Sequence, residues 1–139
     1  MKTILNYIKE HIVAPDDTKA FVIIKPEFLD YANEVHDYIS NNGFEMYDHT
    51  NKMKLSEAQA KELYKMHEGK DFYDDLVEYM QGEIIASIWG YNGTDDPIKK
   101  MDSIKNHFRD KYGKSDMKNV MHSSDSLKNV MRESKIIFN

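Results

Sequence analysis

The chain of 139 residues contains no cysteine. That absence excludes a disulfide scaffold, a thiolate zinc site, an iron–sulfur cluster and a cysteine nucleophile together. Long apolar runs are missing as well, and nothing approaches the roughly 20 residues a membrane helix needs. The first 13 residues could pass for a signal peptide, but Asn6, Lys9, Glu10 and His11 interrupt them and no small-residue cleavage site follows. Nor is there an excess of positive charge: 19 Lys and Arg stand against 24 Asp and Glu, a net of −5. A broad nucleic-acid-binding face needs clustered cations, so that partner is disfavoured. A small phosphorylated ligand held by a few local lysines is not. Gly-rich phosphate loops, internal repeats and low-complexity tracts are all lacking. What remains is one soluble domain, read as cytoplasmic.

Residues that are present divide the chain. Ile4, Tyr7, Ile8, His11 and Ile12 recur at helical spacing, predicting a helix over 3–13 within an N-terminal extension of residues 1–17. The domain proper is expected over 18–139. Phe21–Ile24 is a β-rich apolar run ended by Lys25-Pro26, the signature of a central strand buried on both faces. A helix is predicted over 31–40 and a more exposed strand over 45–55. Ser56 with Gln59 forms a capping box that opens another helix, and a short helix covers 72–80. Glu83–Trp89 reads as a second strong strand. Asp96-Pro97 starts a helix carrying Ile104, Phe108 and Tyr112 on one face, stopped at Gly113. A polar loop through Asp125, a helix over 127–134 and a terminal strand over 135–138 complete the order. One sheet with helices packed on it, an α+β sandwich, accommodates this alternation.

Two places could carry chemistry. Asn119-Val-Met-His122-Ser-Ser-Asp-Ser126 sets a histidine among small hydroxyl residues at the mouth of a helix, where phosphate is favoured. Neutral histidine is abundant at pH 7 and is a competent nucleophile. Lys25 follows the buried strand directly, although a charge at a strand end is also a plain solvating group. The remaining histidines (His11, His36, His49, His67, His107) have no ligand-like spacing, which argues against zinc.

Taken in order, these pieces resemble the nucleoside diphosphate kinase family. The resemblance covers about residues 19–138 and rests on Phe21-Val-Ile-Ile-Lys-Pro26, Asn42-Gly43-Phe44, Tyr64-Lys-Met-His67 with Lys70-Asp-Phe72-Tyr73, Leu76–Met80, Ile85–Trp89, Asn119–Ser126 and Arg132-Glu133. It implies a ferredoxin-like α+β sandwich with a four-stranded antiparallel sheet. It also implies transfer of the γ-phosphoryl group from a nucleoside triphosphate to a nucleoside diphosphate through a phosphohistidine on His122. Lys25 would neutralise the moving phosphoryl group, Ser124 and Glu133 would orient the histidine, and Tyr64 and Asn119 would contact phosphates or sugar. Phe72 would stack on one face of the base and Tyr112 on the other, giving weak base discrimination. Mg2+ would come with the nucleotide phosphates, with no metal ligand from protein side chains.

The segment between Trp89 and His122 departs from the family pattern. It is too short for the usual long loop, and 93–105 lacks the expected arginines. Ser103-Ile104-Lys105 resembles a Thr-Ile-Arg element with lysine in place of arginine, and Lys99 or Lys100 could reach the phosphates. Glu27 stands where an aspartate is usual, and Ser123 where glycine or alanine is. A homo-oligomer is expected, with a dimer through the strand after Gly43-Phe44 as the minimal unit. A nucleotide-binding or regulatory relative with weakened catalysis is the alternative to an active enzyme.

Overall fold

The strand Lys19–Ile24 (β1) is the organising element because every residue from Ala20 to Ile24 is buried. Side chains alternate across a strand, so such a run must be covered on both faces. Ala20, Val22 and Ile24 pack with Val35, Ile39, Trp89, Met101, Ile104 and Phe108. Phe21 and Ile23 join the opposite cluster with Ala60, Leu63, Leu76, Val77 and Val130. Each fully buried Ile or Phe contributes about 1.5–3 kcal/mol, so β1 alone secures both layers.

The computed structural model describes residues 16–138. The expected helix over 3–13 lies outside the described residues. The elements after β1 run Ala32–Asn41 (α1), Phe44–His49 (β2), Met53–Lys54 (β3), Glu57–Leu63 (α2), Tyr73–Tyr79 (α3), Glu83–Tyr91 (β4), Pro97–Tyr112 (α4), Met121–Ser123 (β5) and Leu127–Ile137 (α5). The sheet order is β2-β4-β1-β5, with β3 pairing a further stretch of β4. Every pairing is antiparallel. This is the expected ferredoxin-like α+β sandwich.

Local signals read from sequence set several boundaries. Ser56 Oγ accepts the Gln59 N–H at 3.1 Å while Gln59 Oε1 accepts the Ser56 N–H at 2.9 Å, completing the capping box of α2. Asp96 caps α4 through Ile98 N, with Pro97 in its first turn. Gly43 turns the chain from α1 into β2 at φ 92°, a conformation open to glycine.

Three expectations are corrected. The strand expected over 45–55 is two strands, β2 and β3, because Thr50 interrupts it. The Thr50 N–H donates to Ala86 O, and Thr50 Oγ1 accepts from Ala86 N. The expected terminal strand over 135–138 is instead the end of α5, opened by Ser126, whose Oγ accepts the Asn129 N–H. Phe138 meets the Phe21 ring edge-on at 6.5 Å, so packing overrides the β propensity of Ile-Ile-Phe. The fourth strand is β5, within the stretch expected to be loop.

Candidate active site

Strand pairing creates the site. β5 runs antiparallel beside β1 with His122 opposite Ile23 and Met121 opposite Ile24. The next residue of β1, Lys25, donates its N–H to Val120 O at 2.9 Å. Lys25 and His122, 97 positions apart by their numbers, therefore reach one end of the sheet. The bend into β5 is sharp. Val120 is fully buried at φ 81°, and across it the Met121 N–H donates to Asn119 O at 3.1 Å. A β-branched residue in that region stores on the order of 1–3 kcal/mol, held there by the packing around it.

Around this point opens a cleft of about 700 Å³. His122 faces it, and its Nε2 lies 2.5 Å from Glu133 Oε1 on α5. The same carboxylate oxygen accepts the Ser124 hydroxyl at 3.0 Å, and Glu133 is 1% exposed. A buried carboxylate accepts and does not donate, so the hydrogen on His122 sits on Nε2. Nδ1, without a hydrogen-bond partner among the described residues, keeps its lone pair. Arg132, beside Glu133, donates to the carbonyls of Glu62 (2.8 Å) and Leu63 (3.4 Å), tying α5 to the end of α2 where Tyr64 follows.

Three cations share the cleft: Lys25, Lys105 and Arg109. Lys25 is buried, with Nζ donating to Asn119 Oδ1 at 2.8 Å and to Met117 O at 3.3 Å. Burial, then the Arg109 and Lys105 charges, pull its pKa down to about 7. Burial also lowers that of Arg109, whose Nη2 donates to Met121 O at 3.0 Å while its Nε finds no partner. The Tyr64 hydroxyl is another buried group without a partner, its pKa raised chiefly by burial and by the Glu133 charge. The Tyr64 ring meets His122 edge-on at 5.5 Å. Mutually repelling cations lining one space are the mould of a polyanion.

The far wall is apolar. Phe72 is 44% exposed and its ring lies 5.2 Å from that of His67. The pKa of His67 is lowered by burial and by Lys70, whose Nζ stands 3.0 Å from His67 Nδ1.

Thus the cleft brings together Lys25, Tyr64, Phe72, Lys105, Asn119, His122 and Glu133, with Ser124 behind the histidine. It does not bring in Tyr112, whose ring stacks on Tyr31 at 4.1 Å and whose hydroxyl donates to Glu34 at 2.8 Å. Tyr112 therefore does not supply the expected second face of a base clamp. Lys99 and Lys100 are also outside the cleft. They begin α4, about 14 Å along the axis from Arg109 at 1.5 Å per residue. Arg109, Asp116 and His67 are among the cleft residues that sequence reasoning missed. Arg109 follows Lys105 by four positions in α4, and that helical spacing was the available signal.

An α+β sandwich holding a histidine against a cation-lined cleft is a phosphate-handling domain in its physical design. Comparison with known proteins fixes which one: residues 18–139 match the sequence family described as nucleoside diphosphate kinase. The nucleoside diphosphate kinase of Fervidobacterium nodosum is 32% identical over 133 residues, covering 86% of this chain and 88% of that protein. Human nucleoside diphosphate kinase homolog 5 is 28% identical, covering 86% of this chain and 61% of that one. The solved nucleoside diphosphate kinase of Aquifex aeolicus superposes with a TM-score of 0.75 at 23% identity, over 87% of this chain and 94% of that one. That likeness bears on the fold. The chain belongs to the nucleoside diphosphate kinase family.

Proposed function

We propose that the protein is an active nucleoside-diphosphate kinase working through a phosphohistidine on His122. The observation that carries this reading is the Glu133–His122 pair, which holds the imidazole as the Nε2–H tautomer and leaves Nδ1 as a free nucleophile in a cation-lined cleft.

In the first half-reaction the Nδ1 lone pair attacks the γ-phosphorus. The bond from that phosphorus to the bridging oxygen breaks, and its electron pair leaves on the β-phosphate as the diphosphate departs. In the second, an oxygen of another nucleoside diphosphate attacks the same phosphorus, and the N–P electron pair returns to Nδ1. Nε2–H stays in place throughout, and Glu133 stabilises the positive ring between the halves. Lys25, Lys105 and Arg109 meet charge on the equatorial and bridging oxygens. Asn119 fixes Lys25, and Phe72 offers the base an aromatic face.

No cluster of three or more acidic or histidine side chains among the described residues could hold a metal ion. Mg2+ would be held by the nucleotide's own phosphate oxygens, and would supply withdrawal of negative charge from them. No helix among the described residues is long and apolar enough to cross a membrane, in keeping with a cytoplasmic enzyme. A dimer is the proposed minimal unit, since β2 forms an edge of the sheet and edge strands invite pairing.

Exchange between ATP and labelled ADP, with no other nucleotide present, tests the reading. Exchange is expected, because one half-reaction and its reverse suffice for it. Its absence points to the catalytically weakened alternative.

A further inference from the structure

With Tyr112 turned away, the wall that joins Phe72 around the cleft includes the loop between α4 and β5, and one of its side chains is an acid. Of three carboxylates in the cleft, Glu133 is bonded to His122 and Ser124, and Asp125 accepts from Asn129 Nδ2 at 2.6 Å. The carboxylate of Asp116 has no partner among the described residues. Its backbone is nevertheless fixed, because the Asp116 carbonyl accepts Asn119 Nδ2 at 2.6 Å. The loop around it is closed by Lys114 N to Lys118 O (2.7 Å), Ser115 N to Lys118 O (3.2 Å) and Lys118 N to Ser115 Oγ (2.9 Å). Met117 O in turn accepts from Lys25 Nζ. An unpaired carboxylate is therefore held on a rigid wall of the cleft.

That acid does not belong to the phosphate end. Lys25 feels the Arg109 and Lys105 charges, and Arg109 those of Tyr64 and Asp102, rather than the charge of Asp116. A carboxylate beside the phosphates would also repel them. The remaining occupant of the cleft is the base on Phe72, and a carboxylate there accepts hydrogen bonds from whatever donors the base edge presents.

We propose that Asp116 is a specificity-determining residue that selects guanine nucleotides. Guanine alone among the common bases carries two adjacent donors, N1–H and the N2 amino group, matching the two oxygens of a carboxylate. Uracil carries one N–H flanked by two carbonyl oxygens, which a carboxylate repels. This inference rests on the nucleotide reading of the cleft and replaces the indifference that a two-sided aromatic clamp would give.

The test measures equilibrium binding of GDP and UDP to the whole chain by calorimetry, together with kcat/KM for each as acceptor, for the protein and for D116N and D116A. Exposed charge-assisted bonds predict a preference for GDP of about tenfold in the unaltered protein, shrinking at least about threefold in both variants. A preference under about fivefold, or one that survives in D116N and D116A, overturns the proposal. Binding separates the two layers. Preference for GDP without turnover counts against phosphoryl transfer alone, and turnover without preference counts against Asp116 alone.

Discussion

Glu133 Oε1 lies 2.5 Å from His122 Nε2, so a buried carboxylate decides which ring nitrogen is available to react. Glu133→Gln keeps the shape of the side chain but offers an amide in place of a pure acceptor, so the ring loses its enforced tautomer. Turnover is expected to fall by about two decades or more with little change in melting temperature. Steady-state kinetics alongside thermal unfolding checks this. Unchanged turnover contradicts the tautomer argument.

The cation cluster predicts a pH dependence. The Lys25 pKa falls from 10.5 to about 7 on folding, so near neutrality the empty site holds it only partly charged. Phosphate binding favours the charged form, hence nucleotide binding at pH 8 should take up protons. Calorimetry in buffers of different ionisation enthalpy measures that uptake, and kcat/KM should decline as pH rises above about 7.

The same shift has a consequence for stability. A lysine whose folded pKa is depressed makes the unfolded chain bind more protons between about 7 and 10.5. The destabilisation is full below about pH 7 and is relieved as pH rises through that window. Lys25→Met should therefore raise the melting temperature at pH 7 while abolishing turnover.

Arg109, rather than Lys99 or Lys100, should carry catalytic charge alongside Lys105. Arg109→Ala and Lys105→Ala should each cost two to three decades in kcat, about 2.7–4 kcal/mol. Lys99→Ala, Lys100→Ala and Tyr112→Phe should leave kcat within a factor of about two. Comparison of the five single variants at saturating nucleotide decides the assignment.

Much of the fold was legible in the sequence because its signals are local and strong. The apolar run Phe21–Ile24 demanded two covering layers, and the caps at Ser56 and Asp96 located their helices. β5 was not legible, since three residues among serines carry no periodicity and pair only because the edge of β1 at Val22–Ile24 is free to take them. Ile136-Ile137-Phe138 misled because β propensity is cheap to override when a capped amphipathic helix already points that way. In the site, Lys25, His122 and Glu133 were recognisable from their motifs. Arg109 was not, because it lies one helical turn beyond Lys105, outside the element that resembles Thr-Ile-Arg. Tyr112 stands where the family resemblance implies the residue on the other face of the base, but α4 directs it to Tyr31 and Glu34.

The central claim is that His122 carries the phosphoryl group, and its most direct measurement is covalent labelling with γ-labelled ATP. The account predicts acid-labile, alkali-stable label on the protein, removed by a chase of unlabelled nucleoside diphosphate and absent from a folded His122→Ala variant. Label on His122→Ala at the level of the unaltered protein, or no label on the unaltered protein, would contradict it.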